Sequence, residues 1–163
     1  MTFKDAVGKT AHLENAWKEG LQALRRQDKP HIEPQDTRRL RGSADVDSAL
    51  QTIEPNANRW DFAIAYQHTN LTAEFIYWVE LHTASTSEVE VVIKKANWLL
   101  GWLKTQDNPL RYFQKKIVWV SSGPTTFSLT APQKKAMALA GLNQCGLKLR
   151  IHDPYPRQIQ VGT

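Results

Sequence analysis

The order of apolar and polar positions predicts eight elements along the chain. Over 10–26, Leu13, Ala16, Trp17, Gly20, Leu21 and Leu24 recur at the i, i+3, i+4 spacing of an amphipathic helix. Lys29-Pro30 ends it, because the residue before a proline avoids helical backbone. Three strands are predicted next: 43–50, weakly alternating; 59–67, with Trp60, Phe62, Ile64 and Tyr66 on one face and Asp61, Ala63 and Ala65 on the other; and 74–83, aromatic and aliphatic enough to be covered on both sides. A polar turn at His68-Thr69-Asn70 makes the second and third an antiparallel hairpin.

The clearest helix is 85–105. Val89, Val92, Ile93, Ala96, Leu99, Leu100 and Leu103 form its core stripe, and Ser85 with Glu88 offers a capping box at its start. A strand at 115–122, a Gly123-Pro124 turn, a helix near 131–141 and a strand at 147–152 complete the chain. The helix at 85–105 links two strands that lie parallel in one sheet, as a right-handed crossover. The expected fold is a single α/β domain over residues 1–163, an αβββαβ core whose mixed central sheet is flanked by helices.

Composition narrows the classes. The chain has 163 residues, a mean hydropathy of −0.49 and six Trp, five Phe and four Tyr, which need a core to pack into. Cys145 stands alone, which excludes a disulfide scaffold or a thiolate zinc site and fits a reducing compartment. No apolar run approaches the ~20 residues of a membrane span, and the N-terminus lacks a signal-peptide core. A cytoplasmic protein with no membrane partner is expected.

The net charge of +5 matters less than its layout. Residues 1–41 carry nine Lys/Arg against six Asp/Glu, residues 42–90 carry Arg59 against eight acids, and residues 91–163 carry eleven bases against Asp107 and Asp153. Such a layout arises from solvated faces alone, or from a carboxylate cation site framed by bases that hold a polyanion. Asp61 and Glu80 interrupt apolar strands that are neighbours in the hairpin, where an unpaired charge is costly to bury. Ile76, Trp78, Glu80 and His82 share one side of their strand. Two converging carboxylates repel, and Mg²⁺ or Mn²⁺, which prefers oxygen ligands, relieves that repulsion.

With those residues the chain resembles the PD-(D/E)XK nuclease superfamily, the restriction-endonuclease-like fold, over about residues 10–150 by element order. The family's Asp on the second strand matches Asp61 in RWDFAIAY, and its Glu matches Glu80 in YWVELHT. Trp60 replaces the family's Pro, and His82 stands where the motif has Lys. The resemblance implies a Mg²⁺- or Mn²⁺-dependent nuclease hydrolysing phosphodiester bonds. Asp61 and Glu80 would be metal ligands, Asp47 a third carboxylate, and His82 and Lys95 would share the role of the missing Lys. Lys95 lies on the Val91–Trp98 side of its helix, whereas Lys94 points outward. Glu14 matches a loose family tendency to place a Glu on the first helix, with Glu19 an alternative.

Arg38, Arg39, Arg41, Lys115, Lys116, Lys134 and Lys135 are phosphate-contact candidates. A non-catalytic module that binds nucleic acid or a protein is the competing expectation, with His82 recording a lost catalytic Lys. Specificity would come from loops, a homodimer or a partner protein. The five His residues show no zinc spacing, there is no GxxxxGK[ST] or GxGxxG, and Ser121-Ser122-Gly123 reads as a turn.

Overall fold

Strands β4 (Phe62–Tyr66) and β5 (Phe75–His82) form the antiparallel hairpin expected at the centre, with Ala63 opposite Trp78 and Ala65 opposite Ile76. They belong to a computed structural model that describes residues 1–105 and 107–156. Before β4 run α1 (Phe3–Gly8), β1 (Trp17–Lys18), β2 (Ile32–Pro34), β3 (Leu40–Asp45) and α2 (Val46–Leu50). After β5 come α3 (Val89–Leu103), β6 (Lys115–Ser121), α4 (Ala131–Leu139), β7 (Leu142–Gln144) and β8 (Leu149–Ile151).

Six strands make one mixed sheet in the order β1-β3-β4-β5-β6-β7. β3, β4 and β5 are an antiparallel meander, and β6 and β7 add in parallel after α3 and α4. The chain is an α/β protein with a mixed sheet flanked by helices; the run β3, β4, β5, α3, β6 follows the expected core, with α2 inserted between β3 and β4.

The two faces of the sheet are covered differently. Ala63, Ala65, Ile76, Trp78, Ile117 and Trp119 pack under all four helices. Phe62, Ile64, Tyr66, Tyr77, Val79 and Val118 pack under β2 and β8, which pair in parallel as a separate two-stranded sheet. Trp60, Trp78 and Trp119 are fully buried on the helical side. Each removes roughly 150–250 Å² from water, an upper-bound gain of about 4–6 kcal/mol apiece.

Five expectations change. The helix over 10–26 is absent: the segment is a run of turns carrying β1, with His12 at φ +70° and Gly20 at φ +55°. Leu13 packs on the helical side of the sheet and Leu24 on the other, so the chain has to cross from face to face instead of burying one stripe. The strand expected at 43–50 is β3, which starts earlier and stops at Asp45, because the Asp45 carboxylate accepts the Ser48 N–H and opens α2.

Trp60 precedes the strand and packs with Ala63 and Ala65, not with Phe62. The Ser85–Glu88 capping box does not form; Thr86–Glu88 is a 3₁₀ turn, Ser85 bonds Ser87, and Glu88 is engaged by His82. The strand expected at 147–152 is β8, which joins the small sheet, while the main sheet takes β7.

Gly42 secures the β1 edge. It sits at φ +108° in a bulge of β3, and a Cβ there would lie 2.1 Å from Trp17 Nε1, which donates to the Arg41 carbonyl at 3.1 Å.

Candidate active site

Asp61 immediately precedes β4, and continuing the register past Phe62–Val79 puts it opposite Glu80 on the helical face. The pair is locked reciprocally. The Asp61 N–H donates to Glu80 Oε1 at 3.2 Å, and the Leu81 N–H donates to Asp61 Oδ2 at 3.1 Å. Each carboxylate therefore has one oxygen held by backbone and one left to look elsewhere. Both remaining oxygens face Lys95: its ammonium donates to Glu80 Oε2 and lies 3.7 Å from Asp61 Oδ1.

Lys95 reaches them because it sits three residues after Val92 and four before Leu99 on α3, at the margin of the buried stripe. Glu80 is fully buried and the Lys95 side chain only 16% exposed, so the three charges meet in a poorly solvated place. Next to them, His82 Nδ1 is 3.5 Å from Glu80 Oε2 and its Nε2 is 2.7 Å from Glu88 Oε2.

The charges are not fully settled. Burial, and after it the Glu80 carboxylate, push the Asp61 carboxyl up to about 7, against the pull of Lys95 and the Leu81 N–H. The hydrogen bond to Glu80 raises His82 despite burial, and Glu88 adds to it. Burial works against the Lys95 ammonium, yet Glu80 and Asp61 hold its pKa above the ordinary value.

The other sequence candidates are placed elsewhere. Asp47 lies in the first turn of α2, not on a strand face with Asp45, and pairs with Arg59 at 2.9 Å. Glu14 is exposed in the turns that replace the first helix. Arg38, Arg39 and Arg41 precede or begin β3, whose first residue faces Tyr66, and Lys115 and Lys116 begin β6 beside Ile76 and Tyr77. All five are at the end of the sheet away from Glu80, about 13 Å along the strands. Arg38 pairs with Asp36 at 3.0 Å, and Arg39 lies 3.7 Å from Asp153. Lys134 and Lys135 are on α4.

Glu88 and Arg59 are neighbours of the site that sequence reasoning left out. The sequence reads Glu88 as a cap residue, and its position just ahead of an apolar helix gives no sign of a histidine partner. Among the described residues no group of three or more His, Cys, Asp or Glu side chains is arranged to hold a metal ion, so the oxygen donors are a pair. No family model matches the chain, and no curated protein or solved structure matches it either.

Proposed function

We propose that the Asp61–Glu80–Lys95–His82 cluster is the active site of a metal-dependent nuclease of the PD-(D/E)XK type, acting on a nucleic-acid phosphodiester. The reading rests above all on one observation: the two carboxylate oxygens left free by the backbone converge on one cation, supplied by the helix that follows the Glu strand. A lysine at that position answers the absence of Lys at 82. Two carboxylates suit a magnesium-like ion, which prefers hard oxygen ligands. Asp61 and Glu80 would hold Mg²⁺ or Mn²⁺, which when bound polarises the phosphate and lowers the pKa of water. Asp47, paired with Arg59, would act through the field it adds near Asp61.

The chain's own groups have separate tasks. The Lys95 ammonium offsets the charge that grows on the phosphoryl oxygens. His82, set between two carboxylates, favours the imidazolium, whose nitrogens both donate, and can pass a proton to the leaving oxygen. A nucleic-acid partner and a cytoplasmic location go with this reading, as does a homodimer or partner protein that supplies specificity.

One observation favours a second reading. The ammonium already neutralises Glu80 from within, as a structural ion pair in a non-catalytic module would. Purified protein incubated with plasmid, linear and single-stranded DNA plus Mn²⁺ decides between them. The expected result is cleavage that falls at least about 100-fold in Asp61→Ala and in Glu80→Ala, the scale of losing a main charge-stabilising group. Cleavage that persists in both variants, or its absence in the wild type with every substrate, overturns the catalytic reading.

A further inference from the structure

At the far end of α3 the 3₁₀ turn Pro109–Tyr112 raises a tyrosine into solvent: Tyr112 is 75% exposed, among the most exposed large hydrophobic residues of those described. One face of its ring is taken by Arg111, whose guanidinium carbon is 4.7 Å from the ring centre and whose Nη2 donates to the Tyr112 hydroxyl at 2.6 Å. The aromatic ring is therefore held in place by a cation and still presents its other face.

Two surface grooves meet at this pair. One, of about 470 Å³, is lined by Lys9, Asn108 and Pro109, with Asp107 as its single acid; the other, of about 370 Å³, is lined by Leu100, Lys104 and Lys115. Lys9, Lys104, Arg111 and Lys115 thus surround one exposed aromatic ring. None of the ion pairs among the described residues involves these four cations.

A free aromatic face amid unpaired cations is the chemistry that takes an unstacked base together with its flanking phosphates. Duplex presents no free base face, so the complement is a single strand. We propose that Arg111–Tyr112 and the two lysine-lined grooves are a docking surface for single-stranded nucleic acid, with one base on Tyr112 and backbone phosphates on Lys104 and Lys115.

The surface shares α3 with the site described above. Lys95, Trp98 and Trp102 share one side of α3 at i, i+3 and i+7, and the two indoles, both half-buried, stack on each other at 5.7 Å and 9°. From Lys95 to Lys104 the helix rises about 14 Å. At about 100° per residue Lys104 lies about half a turn round α3 from Lys95, so the Tyr112 groove and the Asp61–Glu80 cluster are on different sides of this helix. The proposal rests on the nuclease reading only where it makes a single strand the substrate.

Fluorescence anisotropy of a labelled 12-nucleotide single strand and of the matching duplex, in EDTA, tests binding apart from catalysis. The wild type is expected to bind the single strand more tightly than the duplex. Tyr112→Ala should weaken single-strand binding about tenfold, the scale of one lost stacking contact. Lys104→Glu with Lys115→Glu should lower the slope of log affinity against log salt by about 1.4, at 0.7 per phosphate contact. Unchanged affinity in Tyr112→Ala, or preference for duplex, overturns the proposal. Binding that needs Tyr112 in a protein that cuts nothing leaves this surface standing and removes only the catalytic reading.

Discussion

The hairpin β4–β5 carries a buried polar cluster at each end, one on each face of the sheet, and the two are built on opposite terms. At the turn end Asp153 gathers donors: Tyr66 hydroxyl at 3.0 Å, Thr69 N–H at 3.0 Å, and His68 Nδ1 at 3.1 Å, with Arg39 3.7 Å away. Burial alone would push Asp153 up, but these hydrogen bonds hold its carboxyl below the usual range. An ionised Asp153 fixes the proton of His68 on Nδ1, so His68 Nε2 accepts the Tyr77 hydroxyl at 2.6 Å. Every member has a partner, and the cluster fastens the segment after β8 to the hairpin. At the other end two carboxylates share one ammonium, and Asp61 is left close to neutrality. A satisfied network holds a structure together, whereas charge left over is open to a ligand.

The largest effect expected from this contrast is at Lys95. Lys95→Met strands the fully buried Glu80 without its cation, and chemical denaturation at pH 8 should show a loss of about 3–5 kcal/mol. Millimolar Mn²⁺ should then raise the melting temperature of the variant by more than that of the wild type, because the acids have lost their ammonium. An equal response, or none, would make the pair a closed structural cluster like the one at the turn end.

The pH dependence comes next, with opposite signs at the two ends. Asp61 holds its proton more tightly folded than unfolded, so its contribution is full below about 3.8 and is lost as pH rises toward about 7, a change on the order of 4 kcal/mol. His82, also raised, loses its contribution as pH rises above 6.5. Asp153 and His68 run the other way. The lowered Asp153 contributes above 3.8, the His68 imidazole, lowered mainly by burial, contributes above 6.5, and each fades as pH falls through its folded value. Asp61→Asn should flatten the decline between pH 4 and 7 and make the variant more stable than the wild type at pH 8; denaturant midpoints across that range measure it.

The smallest effect is at Asp153. Asp153→Asn keeps the shape but weakens the bonds to Tyr66, His68 and Thr69, for a loss of about 1–3 kcal/mol by denaturation. The Mn²⁺ response of the melting temperature should be unchanged. If it shifts as well, the two ends are coupled through the hairpin.

The central machinery was legible in the sequence because it follows period rules. The acids stood out as charged positions inside two apolar strands of one hairpin, and the stripe of α3 put Lys95 at its margin, but it is the hairpin register that brings Asp61 and Glu80 onto one face. The first 40 residues were not legible: Leu13 through Leu24 have helical spacing, but their partners lie on opposite faces of the sheet, and no local pattern records that. Asp45 carried a readable signal, an acid three residues before Ser48 where a helix starts, and strand alternation masked it. The Asp153 network joins positions 66–77 to 153 and has no sequence signature.

Both outer strands of the six-stranded sheet are short, two residues in β1 and three in β7. A neighbouring molecule seeking to extend the sheet finds only a few main-chain rungs on either margin, too few to seed a fibril. Crowding should therefore not drive polymerisation along the sheet, and a second copy would have to meet this one through side chains.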